Sequence, residues 1–213
     1  MNTTLIARPP PAAASPLDLP RLIGPAWHSL DPDVRRRFAP AHAPAYYQGT
    51  LTTRFSRMGA LFARIGACLG RPLPLRPGQS IPAEVHVRPT NGGVVWERWL
   101  LEPGRSAVCV RSTKYADAAG QVCERTDRLL GMSLRVTAEA GALVFESRGY
   151  FLALSRTGRR LPLPALLTPG CCRVTHAPAG PGRFRFTLSM THPLWGTTVT
   201  QDGTFHDTQG STP

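Results

Sequence analysis

The chain has 213 residues, of which 42% are hydrophobic, enough for one domain with a core that needs no disulfides or metals to hold it. Its formal charge is +12, and Lys114 is the only lysine among its 25 basic residues. A phosphate-binding loop needs its lysine behind a glycine run, whereas Lys114 follows Arg111, Ser112 and Thr113, so that class is excluded, and Schiff-base chemistry would rest on this one residue.

Residues 1–16, with the run Pro9-Pro10-Pro11-Ala12-Ala13-Ala14, read as a disordered leader without the continuous apolar stretch of a secretory signal. Residues 17–206 read as one β-rich domain and 207–213 as a disordered tail. The first part of the domain, Leu17 to Leu30, is short and broken by proline. Asp31-Pro32-Asp33 then starts a brief helix, with Asp31 as cap and proline at the first helical position, ending near Phe38. Tyr46 to Arg54 is the first strand. Ser56 caps a second helix in which Met58, Leu61, Phe62, Ile65 and Leu69 share one face, Gly70 and Pro72 end it, and Arg57, Arg64 and Arg71 recur on the opposite side. Gly59 and Gly66 weaken this helix by roughly 1 kcal/mol each relative to alanine, so it depends on tertiary contacts.

From Ile81 onward the pattern is a meander. Ala83, Val85 and Val87 oppose Glu84, His86 and Arg88, and Asn91-Gly92 signals a hairpin into Val94 to Leu101. Pro103-Gly104 turns into a strand ending at Tyr115, and Asp117 to Gly120 turns into Val122 to Leu130. Met132 to Ala138 and Leu143 to Leu154 follow, joined at Ala140-Gly141. A proline-rich excursion from Leu161 to Gly170 is expected to fold over a sheet mouth or edge, because its apolar residues are costly to expose together. Cys172 to His176, Arg183 to Met190 and Gly196 to Phe205 complete the set. The clearest is Phe184 to Met190, whose Phe184, Phe186, Leu188 and Met190 alternate with Arg185, Thr187 and Ser189. A strongly curved antiparallel sheet or barrel of about 8–10 strands is the expected architecture, with one amphipathic helix near the N-terminus.

The blocks Tyr47-Gln48-Gly49, Leu69-Gly70-Arg71-Pro72, Glu97-Arg98-Trp99, Cys123-Glu124-Arg125, Leu161-Pro162-Leu163-Pro164 and Gly182-Arg183-Phe184-Arg185-Phe186 occur in an order that resembles the bacterial domain of unknown function numbered 4166. The resemblance covers roughly residues 20–205. It implies a domain that stands alone or follows saccharopine-dehydrogenase-like reductases, and hence a reductase partner domain; it supplies no catalytic residues. Members usually carry an aromatic residue after the second Glu-Arg, where this chain has Thr126, so the surroundings of Asp127 are expected to differ.

The two Glu-Arg dipeptides are the main candidates for a site. In a strand, Glu97 shares a face with Val95 and Trp99, while Arg98 shares one with Val94, Trp96 and Leu100. Both faces are apolar, so one charge is expected to turn inward, where it would hold a polar ligand head or serve as an acid or base. An ion pair between neighbouring strands is the plainer reading. The candidate ligand-binding residues are Trp96, Glu97, Arg98, Trp99, Glu124 and Arg125.

Cys68, Cys109, Cys123, Cys171 and Cys172 form neither a disulfide framework nor a zinc motif, and reduced thiols suit a cytoplasmic protein. No dinucleotide-binding fingerprint or Gly-x-Ser-x-Gly elbow is present, so neither a cofactor nor catalytic residues are assigned, and no enzyme class is expected. Non-catalytic binding of an apolar or amphipathic small molecule is the leading expectation. An enzyme or reductase accessory using a buried Glu-Arg pair is the first alternative. Association of the basic helix face with an anionic membrane or with nucleic acid is the second.

Overall fold

The computed structural model describes residues 17–39, 44–90, 92–126, 128–154 and 159–208. The expected leader, the Asn91 turn position, Asp127 and most of the expected tail lie outside those residues. The described residues form eleven strands, ten of them at segments read from the sequence and one, β8, at the start of the proline-rich excursion: β1 (Ala45–Phe55), β2 (Gly78–Thr90), β3 (Gly93–Leu100), β4 (Val108–Ala116), β5 (Val122–Thr126), β6 (Leu130–Glu139), β7 (Ala142–Leu154), β8 (Arg159–Leu163), β9 (Cys171–Pro178), β10 (Arg183–His192) and β11 (Gly196–Asp207). Each pairs antiparallel with its neighbour in the order β6-β5-β4-β3-β2-β1-β11-β10-β9-β7-β8, and β6 also pairs with β7. That last pairing closes a barrel of ten strands and leaves β8 as an extra strand along one stretch of β7. Closure removes the edges of the ten barrel strands on which other chains could pair, while β8 keeps one outer edge.

Alternation decides which side chains fill the barrel. In β10, Phe184, Phe186, Leu188, Met190 and His192 are buried, while the residues between them face out. A bulge opposite Ser133–Leu134 adds one residue to β7, so Leu143, Phe145 and Ser147 face inward before it and Tyr150 after it.

Three short N-terminal segments plug one end: α1 (Leu19–Ile23), a 3-10 turn (Gly24–Ser29) and α2 (Pro32–Phe38). Asp31 caps α2 as expected, its carboxylate accepting from the Asp33 N–H. The Asp31 N–H donates to Gly141 O at 2.9 Å, and the Gly182 N–H donates to the Asp33 carboxylate at 3.3 Å, tying α2 to the β6–β7 and β9–β10 turns. Phe38 then enters the barrel, stacked on Trp96 at 5.6 Å and edge-on to His176 at 4.9 Å.

The opposite end is crossed by α3 (Arg57–Cys68), which Ser56 caps through the Gly59 N–H. Here the structure corrects the expected packing face. The buried residues of α3 are Gly59, Ala63 and Gly66, while Leu61 and Ile65 are 44% and 52% exposed. Small residues let the helix axis approach the end of β11 so closely that a Cβ at Gly59 would lie 1.9 Å from Thr198 O. The two glycines read as weaknesses are thus the contact surface.

The proline-rich excursion folds beside the same end, as β8 and a 3-10 turn at Ala165–Leu167. Leu163 packs against the core, but Leu161, Leu166 and Leu167 remain 54%, 53% and 68% exposed. β5 is shorter than read, stopping at Thr126, whose hydroxyl donates to Leu69 O and so ties the β5–β6 connection to the end of α3. β11 runs through Asp207, and the Thr208 N–H donates to Tyr46 O, so order extends slightly past the expected domain end. No helix among the described residues is long and apolar enough to cross a membrane.

Candidate functional site

Between the α2 plug and α3 the barrel holds a cavity of about 120 Å³, as swept by the centre of a water-sized sphere, which opens to solvent at a mouth. Eight strands leave room for side chains or one small ligand, and ten leave more. The wall is mainly apolar, built by Val85, Met132, Val174, Phe186, Leu188 and Met190. It continues from the buried His176 to Ile65 of α3 and to Leu167, both at the surface, so the mouth lies between α3 and the excursion.

One patch of the wall is polar, and three neighbouring strands make it. Register pairs Trp96 with Ser112, Arg98 with Val110 and Lys114 with Glu124, which puts Arg98, Ser112, Lys114 and Glu124 on the inner face. Lys114 Nζ lies 3.1 Å from the Glu124 carboxylate, with the two side chains only 8% and 12% exposed. The same ammonium lies 5.4 Å from the Trp96 ring and 5.3 Å from that of Phe145. Arg98 donates to Gln201 Oε1 at 3.1 Å, while Gln201 Nε2 donates to Thr53 Oγ1 at 3.2 Å, so the amide is oriented from both ends. The Arg98 guanidinium also faces the Phe186 ring at 5.3 Å.

Electrostatics sets the charge states. Burial works to raise the Glu124 pKa, but Lys114, the Ser112 hydrogen bond and Arg98 together outweigh it and hold the carboxyl below its usual range. Burial lowers the Arg98 pKa, with Glu124 opposing. His176 is held well below 6.5 by burial and then by Lys114, Arg37 and Arg98, so it is a neutral imidazole whose Nδ1 has no hydrogen-bond partner among the described residues. Burial, and then Glu124, pushes the Cys172 thiol up to about 12, which leaves it protonated and a poor nucleophile. The Tyr150 hydroxyl, raised well above 10 by burial, donates to Gly170 O at 3.0 Å.

The sequence candidates divide between the two faces. Trp96, Arg98 and Glu124 line the cavity. Arg125 borders it, with its guanidinium over the Tyr115 ring at 5.5 Å. Glu97 points to the outer face, where Arg88 at 2.7 Å and Arg111 at 3.4 Å pair with it, so it takes the cross-strand ion-pair role. Trp99 lies on that outer face too, near His86 at 6.5 Å between ring centres. The inward charges therefore come one from each dipeptide. Lys114, Ser112, His176 and Gln201 were not anticipated; the available signal was that Val110, Ser112, Lys114 and Ala116 alternate on one face with apolar ends.

The fold and site define a closed ten-stranded antiparallel barrel with an internal, mainly apolar cavity and one charged patch. The chain belongs to the family described as Domain of unknown function (DUF4166), whose model matches residues 30–205. No curated protein and no solved structure matches it.

Proposed function

We propose that the barrel binds an amphipathic small molecule without transforming it, with the apolar part among Val174, Phe186, Leu188 and Met190 and the polar end at Arg98, Lys114 and Glu124. The carrying observation is a single cavity whose apolar wall leads from a buried charged patch to an open mouth. Ligand sites are commonly apolar hollows with a few placed polar groups, and this cavity has that distribution. A fluorescent amphiphile that brightens in apolar surroundings is expected to saturate at one molecule per chain and to be displaced by long-chain amphiphiles. Failure to saturate at micromolar concentrations overturns the reading.

The rim supports a second reading, that the mouth rests on an anionic lipid surface. Leu61, Ile65, Leu166, Leu167, Leu194 and Trp195 are each more than 40% exposed, and Phe62 lies 5.7 Å from Trp195, linking the rim of α3 to the β10–β11 turn. Arg57, Arg64 and Arg71 are exposed on α3 and just beyond it, with no ion pair among the described residues. Apolar groups that enter a headgroup layer, flanked by cations worth about 1 kcal/mol each near an anionic surface, match this chemistry. The protein is expected to sediment with vesicles containing phosphatidylserine but not with phosphatidylcholine alone. Arg57→Glu/Arg64→Glu and, separately, Trp195→Ala should each weaken that binding. Sedimentation that ignores both changes, or tighter retention on duplex DNA than on vesicles at the same salt, overturns it.

A further inference from the structure

We propose that the polar end of the ligand is a single negative charge of the carboxylate class, received by Arg98 with Lys114 beside it. The inference rests on the barrel being a site for an amphipathic molecule.

The charges on the cavity wall do not balance. Arg98 and Lys114 are the cations that face inward, since the bordering Arg125 is exposed with its guanidinium over the Tyr115 ring, and Glu124 is the only carboxylate among the lining residues. Glu124 is already engaged by Lys114 at 3.1 Å and by Ser112. Arg98 has no carboxylate within ion-pair distance among the described residues; its hydrogen bond goes to the neutral Gln201 Oε1. The adjacent Glu97 cannot supply the missing charge, because it sits on the outer face between Arg88 and Arg111. At the plug, Arg37 lies 3.9 Å from the centre of the Phe184 ring and adds to the positive field, with Asp33 as its opposing acid. His176 contributes no charge.

A guanidinium carries five N–H donors, so one bond to Gln201 leaves most of them unused. An unbalanced cation in an apolar hollow is costly, and a carboxylate that accepts two parallel N–H bonds removes the imbalance with matching geometry. One excess positive charge fits a monoanion. A phosphomonoester, close to a dianion at neutral pH, would place a second negative charge near Glu124. An ammonium head would meet only repulsion from Arg98 and Lys114.

The test is displacement of the fluorescent amphiphile at pH 8 by palmitic acid, hexadecanol, hexadecylamine and hexadecyl phosphate, which share one chain and differ in head. The acid should displace at least tenfold more strongly than the alcohol, and the amine least of all. Arg98→Gln should bring the acid down to the level of the alcohol while leaving the alcohol unchanged. Glu124→Gln, by removing the competing carboxylate, should raise the affinity for the acid, an increase that a purely structural role would not produce. Equal displacement by acid and alcohol in the wild type overturns the charge assignment yet leaves an amphipathic site standing. Stronger displacement by the phosphate overturns the monoanion assignment. Displacement by none of the four overturns this inference and the binding reading together. The wild-type ranking decides the matter even if a variant fails to fold.

Discussion

Lys114→Met is expected to destabilise the protein by about 3–5 kcal/mol, measured by urea unfolding at pH 7. The ammonium lies 3.1 Å from the Glu124 carboxylate, and both side chains are almost wholly enclosed. Removing it leaves a charged carboxylate in a mainly apolar hollow, supported only by Ser112 and by the Arg98 field. The cost comes from the stranded charge rather than from the lost attraction, so removing both partners should recover most of it. Lys114→Met/Glu124→Leu is expected within about 1 kcal/mol of the wild type, since a buried pair is replaced by apolar side chains of similar bulk. The pH dependence has a definite sign. Glu124 is held below its unfolded carboxyl value, so its contribution is complete above about pH 4.3 and is lost as pH falls through the folded value. Removing Lys114 should shrink that acid-side loss, and a double variant no more stable than Lys114→Met would refute the stranded-charge explanation.

Gly59→Ala is expected to cost about 2–3 kcal/mol, although the same change in an exposed helix gains about 1 kcal/mol. The added Cβ would lie 1.9 Å from Thr198 O and 2.7 Å from its carbonyl carbon, and neither atom belongs to a side chain that can swing away. Either α3 or the start of β11 must move, and the Ser56 N–H, which donates to the same Thr198 carbonyl at 2.9 Å, moves with it. Gly66→Ala supplies the contrast. Its Cβ would meet only the edge of the Pro72 ring at 3.2 Å, so tightening by a few tenths of an ångström is set against the gain in helix propensity. The change should stay within about 1 kcal/mol of the wild type. Gly59→Ala unfolding at a higher urea concentration than the wild type would show that α3 does not depend on this close approach.

What could be read from the sequence follows from how one-sided each element is. β10 was unambiguous because its inner residues are large and apolar and its outer ones polar. Asp31 and Ser56 announced their helices because a side-chain oxygen before a helical run has one local use, capping free N–H groups. β3 was ambiguous in the opposite way. Val94, Trp96 and Leu100 share one face, Val95 and Trp99 the other, so composition could not say whether Glu97 or Arg98 turned inward. Pairing decides it: Arg98 stands opposite Val85, whose own inward direction was clear.

The α3 misreading has a related cause. Periodicity weighs large apolar residues, whereas close contact selects the smallest ones, so Gly59 and Gly66 read only as weaknesses of the helix and Ala63 as nothing in particular. The large residues Leu61 and Ile65 were left at the rim, where they define the mouth. Lys114 stands out in the sequence as the only lysine, but not as a cavity residue, because its neighbours in the sequence are polar. Its enclosure comes from Trp96 and Phe145 on other strands, a relation that only register creates.

Titrating the same fluorescent amphiphile into the wild type and into Leu188→Trp locates the ligand most directly. Leu188 is buried on the apolar wall, so an indole there fills the space the ligand's tail would occupy. The wild type should saturate at one molecule per chain, and Leu188→Trp should bind at least tenfold more weakly while retaining the wild-type far-ultraviolet spectrum and cooperative unfolding. Undiminished binding by a folded Leu188→Trp would place the ligand outside the barrel and contradict the proposed role of the cavity.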